Sequence, residues 1–146
     1  MKKFAILVLA VTVAALAGAA FAAAAPRATP IKFAAKMTPA AEVPPQTWKN
    51  PGASGSFTGD ITGNKMKWTL KFAGLTGPTT AVNVNLGAAG TSGPVVVRLC
   101  GVVCPAEGTS TLSKALLNDL RAHKLYVNVR TKKNPNGEIR GQLSAG

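Results

Sequence analysis

The chain has 146 residues, with seventeen Lys and Arg against five Asp and Glu and a single His, for a formal net charge of +12. Such an excess of base predicts attraction to anionic surfaces, but no helix-turn-helix, aromatic stacking platform or arginine-rich run accompanies it, which argues against specific nucleic-acid recognition. One histidine, two cysteines and five scattered acids give no metal-ligand spacing and no convincing pair of carboxylates for acid–base chemistry.

Met1-Lys2-Lys3 is a short basic start, residues 4–17 are an apolar run, and Gly18-Ala19-Ala20-Phe21-Ala22 supplies small residues at the spacing a signal peptidase reads. This predicts a secretory signal cut after Ala22, with no charged stop-transfer segment behind it and no lipobox cysteine. The expected mature chain of 124 residues suits one domain, with residues 23–30 as a flexible lead-in and residues 31–146 as the folded unit. Its expected setting is periplasmic or secreted, with no membrane anchor.

Residues 31–37 alternate Ile31, Phe33, Ala35 and Met37 with polar or small residues and predict the first strand. Prolines in residues 39–51 predict an extended connection or an edge. A second strand is expected over 55–62, and Gly63-Asn64 predicts a turn. In residues 65–72, Met66, Trp68, Leu70 and Phe72 are expected to face inward, with Lys65, Lys67, Thr69 and Lys71 outward. Residues 81–86 alternate Val82, Val84 and Leu86 against Asn83 and Asn85. The run Val95-Val96-Val97 within 94–100 predicts a strand buried on both sides or one near the centre of a sandwich. Residues 101–108 read as a loop. Residues 112–122 form the single helical stretch, with Ser113 as cap and Leu116, Leu117 and Leu120 as its apolar face.

The last twenty residues predict a hairpin: 125–131 alternates, Lys132-Lys133-Asn134-Pro135-Asn136-Gly137 turns, and 138–143 alternates again. Opposing Val129 to Ile139, Val127 to Gly141 and Leu125 to Leu143 keeps the apolar face together. That register sets Asn128 opposite Arg140 and predicts a cross-strand Arg130–Glu138 pair. About eight short strands at this spacing favour an all-β antiparallel sandwich or barrel with one short helix before the C-terminal hairpin.

Cys100 and Cys104 are the only cysteines; in an exported protein an even pair predicts a disulfide, with a redox-active pair as the alternative. His123 reads as a turn residue or a cation at the helix C-terminus. Glu42, beside Pro44, reads as structural or rim-exposed. Trp68 is expected in the core and Trp48 in an exposed contact.

In order along the chain, Ala41-Glu42-Val43-Pro44-Pro45, the Gly55 strand, the glycine-rich 87–93 turn ahead of Pro94-Val95-Val96-Val97, Leu125-Tyr126-Val127-Asn128-Val129 and Asn134-Pro135-Asn136-Gly137-Glu138-Ile139-Arg140-Gly141-Gln142 resemble the CHRD (chordin-type) domain. The resemblance covers about residues 31–143. It implies an immunoglobulin-like β-sandwich or barrel in an extracytoplasmic setting. Such domains occur in a secreted animal inhibitor of bone morphogenetic proteins and as small exported microbial proteins. They often carry His-x-His before the glycine-rich turn and a His in the first hairpin strand. Here those positions hold Asn83, Asn85 and Arg130. Amides are weak ligands and a guanidinium has no lone pair to give, so no metal and no cofactor is expected. Arg130 is expected to fill the place of a cation, bonded to Glu138 and to the two Asn side chains.

These features point to a non-catalytic binding or structural module whose partner is a protein or an anionic envelope polymer. The face carrying Asn83, Asn85, Asn128, Arg130, Glu138 and Arg140 is the expected binding site, with a polar network that only fixes the fold as its competitor. The alternative function is a redox or other enzyme using Cys100 and Cys104 or a cryptic pocket.

Overall fold

The structure, a computed structural model, describes residue 25, residues 27–47 and residues 50–146. The expected signal segment and Trp48 lie outside the described residues. Residue 25 and residues 27–30 are exposed and carry no regular secondary structure.

Among the described residues, nine strands and one α-helix follow in chain order: β1 (Ile31–Met37), β2 (Ser54–Thr62), β3 (Lys65–Ala73), β4 (Thr79–Leu86), β5 (Val95–Cys100), β6 (Glu107–Thr111), α1 (Lys114–Arg121), β7 (Leu125–Thr131), β8 (Ile139–Gln142) and β9 (Ser144–Ala145). They make two antiparallel sheets, one of five strands in the order β6-β3-β2-β1-β9 and one of four in the order β5-β4-β7-β8. The architecture is therefore a sandwich of two separate sheets and not a closed barrel.

Strand alternation builds the core. Phe33, Ala35 and Met37 of β1, Phe57 and Ile61 of β2, and Met66, Trp68 and Leu70 of β3 face Val82 and Val84 of β4 and Val127 and Val129 of β7. Phe57 centres an aromatic run, with ring centroids 5.4 Å from Phe33 and 6.0 Å from Trp68. Gly108 of β6 lies across from Trp68, where any side chain would run into the indole. The indole Nε1 donates to Ser110 Oγ at 3.2 Å. Helix α1 begins at the Ser113 cap, whose Oγ accepts from Leu116 N at 3.2 Å, and buries Leu120 against the core. His123 takes a positive φ of 55° just past its end and turns the chain into β7.

Several expectations change. Phe72 is 36% exposed although it shares the phase of Leu70, because β3 is flanked by β6 only as far as Thr69. Val95 is 45% exposed because β5 is the outer strand of its sheet, so the β-branched run marks an edge and not a doubly buried strand. Strand β6 begins inside the 101–108 stretch expected to be a loop. Its sequence Glu-Gly-Thr-Ser-Thr has no apolar alternation, and pairing with β3 alone makes it a strand. The two-residue β9 is likewise set by pairing, with Ala145 opposite Phe33.

Hairpin β7–β8 has the predicted register: Val129 opposes Ile139, Asn128 opposes Arg140 and Val127 opposes Gly141. The chain leaving β1 then crosses to this second sheet. Thr38 pairs with Arg140 through two backbone hydrogen bonds, Thr38 N to Arg140 O at 2.9 Å and Arg140 N to Thr38 O at 3.1 Å. A short 3₁₀ turn, Pro39–Ala41, follows and carries Glu42 over the outside of the four-stranded sheet. This crossing is why β4 and β7 are buried on both faces.

Candidate functional site

Alternation along β4, β7 and β8 turns Val82, Val84, Val127, Val129 and Ile139 into the core. The same alternation sends Asn83, Asn85, Tyr126, Asn128, Arg130 and Arg140 to the opposite face. There a cleft of about 410 Å³ is floored by Asn85, Asn128, Arg130 and Arg140. Its walls come from Glu42, Val43 and Pro44 after β1, from Ser92 and Gly93, and from the hairpin tip at residues 134–137.

Glu42 is the carboxylate of this cleft. It is 5% exposed, which corrects its reading as a rim residue. Asn128 Nδ2 donates to both of its oxygens, at 3.2 and 3.0 Å. Burial pushes the Glu42 pKa up to about 7; the Asn128 hydrogen bond and the charges of Arg140 and Arg130 oppose that shift without cancelling it. Gly137 lets the hairpin tip close over this pair. Its φ is +143°, and a Cβ there would fall 2.5 Å from Glu42 Oε1 and 2.6 Å from Asn128 Nδ2.

Arg140 is 2% exposed and serves as a pin. Its Nη1 donates to Thr91 O at 2.7 Å, its Nη2 donates to Ala88 O at 3.0 Å, and its Cζ lies 3.4 Å from the centroid of the Tyr126 ring. Burial lowers its pKa from the ordinary arginine value, with the charges of Tyr126 and Glu42 acting the other way. Tyr126 Oη and Asn85 Nδ2 hold the end of the same loop through Gly93 O, at 3.3 and 2.9 Å.

Glu138 is not part of the cleft. The predicted Arg130–Glu138 pair does not form, because the Glu138 carboxylate turns to the far side of the hairpin tip. There Oε1 accepts from Asn50 Nδ2 at 2.8 Å and from Thr76 N at 2.6 Å. Its Oε2 accepts from Thr76 Oγ1 at 2.8 Å, from Thr131 Oγ1 at 2.6 Å and from Asn134 Nδ2 at 3.2 Å. Burial pushes the Glu138 pKa up, but the bonds from Thr131, Asn50 and Thr76 together outweigh it and hold the group at about 2.

The remaining expected site residues divide differently. Asn83 is buried next to Asn128 on the neighbouring strand and does not line the cleft. Arg130 is half-buried, and its Nε has no partner, so it is not bonded to Glu138 or to the amides. Asn85 and Asn128 commit their amide nitrogens to Gly93 O and Glu42, and both leave Oδ1 buried and unpaired. The polar network is thus complete around Glu138 and incomplete where it borders the cleft. Glu42 and Asn134 escaped sequence reasoning as site residues; the Glu42-Val43-Pro44-Pro45 and Asn134-Pro135-Asn136-Gly137 segments were their only signal.

The donor set does not fit a transition-metal centre. The positions Asn83, Asn85 and Arg130 offer two neutral amides and a cation, and no group of three His, Cys, Asp or Glu stands together among the described residues. Cys100 and Cys104 form a disulfide at the end of β5, with Cα atoms 5.1 Å apart, away from the cleft.

The CHRD domain family model matches residues 33–143, most of the chain. The chain belongs to the CHRD domain family. Neither a curated protein nor a solved structure gives a significant match. CHRD domains are generally non-catalytic modules and typically extracellular, a setting with which the disulfide is consistent. Among the described residues, no helix is long and apolar enough to cross a membrane.

Proposed function

We propose that this CHRD domain is a non-catalytic binding module, exported from the cytoplasm, and that the cleft beside Glu42 is its ligand site. The observation that carries the proposal is the pair of buried amides at the cleft, Asn85 and Asn128, whose nitrogens are bonded and whose oxygens are not. A buried acceptor left without a donor costs about 1–3 kcal/mol. The network around Glu138 has no such gap; Gln142 Oε1 has one outside the cleft, but only at the cleft do two such oxygens and an unpaired donor, Arg130 Nε, line one cavity. A ligand bearing hydroxyl or amide donors completes the set after a small displacement of Glu42 and the hairpin tip. Arg130 Nε supplies one unpaired donor beside them.

The test is nuclear magnetic resonance on the ¹⁵N-labelled protein, titrated separately with peptide and oligosaccharide fractions of its native surroundings. Ligand at this site shifts the side-chain amide signals of Asn85 and Asn128 together with the backbone of residues 42–46. Titrations that leave those signals unmoved overturn the proposal. The competing function, redox chemistry at Cys100 and Cys104, requires the disulfide to open to two thiols under mild reductant and to re-form under mild oxidant; a thiol count that stays at zero under mild reductant counts against it.

A further inference from the structure

The opposite outer face, that of the five-stranded sheet, carries a regular arrangement of charge. Lys32 and Lys36 stand on β1, and Lys65, Lys67 and Lys71 on β3, all exposed. Strand β2 runs between them and shows only short side chains outward. Lys36 and Lys71 flank Ser56, Ala34 and Thr69 flank Thr58, and Lys32 and Lys67 flank Asp60. With neighbouring strands about 4.8 Å apart, the lysines form two columns about 10 Å apart on either side of a trough. Shallow depressions follow it. One of about 560 Å³ lies over β1 and β2 and reaches Ser144 and Gly146, one of about 430 Å³ runs from β2 across β3 to β6, and one of about 400 Å³ lies at the end marked by Lys36, Ser56 and Lys71.

We infer that this trough is a docking surface for a linear acidic polysaccharide, laid along β2 with its carboxylates toward the two lysine columns and its hydroxyls on Ser56, Thr58 and Asp60. The inference is independent of the cleft, which lies across the sandwich. Five cations stand against two acids, Asp60 in the trough and Glu107 beyond Thr69. The short central residues let a chain sit low between the lysines, and their hydroxyls match those of a sugar. All five cations are lysines, compact point charges on flexible stems that can follow the carboxylates of a chain laid between them. Of the aromatic residues of these strands, Phe33, Phe57 and Trp68 are buried in the core and only Phe72, at the end of β3, is partly exposed, which leaves no row of rings for stacking bases. Ala34 and Ala73 are the apolar residues exposed among the paired outward positions of β1, β2 and β3, two single methyl groups and too little to enter a lipid surface.

Binding of polygalacturonate to the full protein tests this, against a variant of the face (Lys32→Gln, Lys36→Gln, Lys67→Gln, Lys71→Gln) and one of equal charge elsewhere (Lys114→Gln, Lys124→Gln, Lys132→Gln, Lys133→Gln). At about 150 mM salt the first should bind about tenfold more weakly, the sum of several exposed ionic contacts, and the second within about twofold of the native protein. Thr58→Tyr, which fills the trough and keeps every charge, should weaken binding like the first. Equal weakening by both lysine variants, or full binding by Thr58→Tyr, overturns the shaped surface in favour of diffuse attraction. Absence of binding by the native protein, or tighter binding to single-stranded DNA or anionic vesicles, overturns the polysaccharide.

Discussion

Asn128 and Glu42, 86 positions apart in the chain, are joined by one amide group that donates to both carboxylate oxygens. This bridge ties the segment leaving β1 to the middle of β7 and sets the depth of the cleft. It also holds a carboxylate where water cannot solvate it, with a measurable consequence for stability.

The Glu42 pKa stands at about 7 in the fold against an ordinary 4.5. The folded protein therefore holds this proton more tightly than the unfolded chain does. Stability falls as pH rises from about 4.5 to about 7 and is level above, a loss of about 3 kcal/mol from this group. Glu42→Gln keeps an acceptor for Asn128 and removes the ionisation. Urea unfolding across this range should show the loss in the native protein and a nearly flat profile in the variant, which should be the more stable of the two at pH 8.

Glu138 acts in the opposite sense. Its pKa of about 2 lies below the ordinary 4.5, so its contribution is complete above about 4.5 and is lost as pH falls toward 2. The contribution is of the order of 3 kcal/mol. Glu138→Gln offers one acceptor oxygen to five donors, so it should destabilise the protein by about 3 kcal/mol at neutral pH and weaken its acid dependence, read from acid unfolding. With the Glu42 effect, the native protein should be most stable near pH 4.5 to 5.

Gly137→Ala places a methyl group against the Glu42 carboxylate at a backbone angle that favours glycine. The expected cost is about 1–3 kcal/mol, seen as a lower melting temperature. The damage is local, so the disulfide and the sheet signature in circular dichroism should survive.

Arg140→Lys retains the charge and loses the two-pronged grip on Thr91 and Ala88. Removing a buried, bonded guanidinium should cost about 2–4 kcal/mol. Limited proteolysis should then cut within residues 88–93 before it cuts elsewhere, since Arg140 pins that loop.

Strands β1, β3, β4 and β7 were legible because each repeats an apolar residue at every second position, and β2 because Phe57 and Ile61 share a phase with Gly55 and Gly59, patterns that local sequence carries alone. The hairpin register was legible for the same reason. Strand β6 was not, because its five residues have no apolar phase and become a strand only by bonding to β3. Edge position was also invisible: Val95-Val96-Val97 looks the same whether a neighbour covers it or not. At the site, Asn85, Asn128, Arg130 and Arg140 could be placed on one face by alternation. Glu42 could not, since its burial depends on the Thr38 crossing between sheets. Glu138 went astray because strand phase fixes where a side chain starts, while five waiting donors decide where it ends.

The Thr38–Arg140 crossing has a mechanical side. Interlocked side chains hold the two layers together by shape, without directional bonds between them. Here main-chain bonds stitch the seam, and they do so at the residue whose side chain pins the opposite loop. Sliding one layer over the other would have to break those two bonds as well as unlock the core.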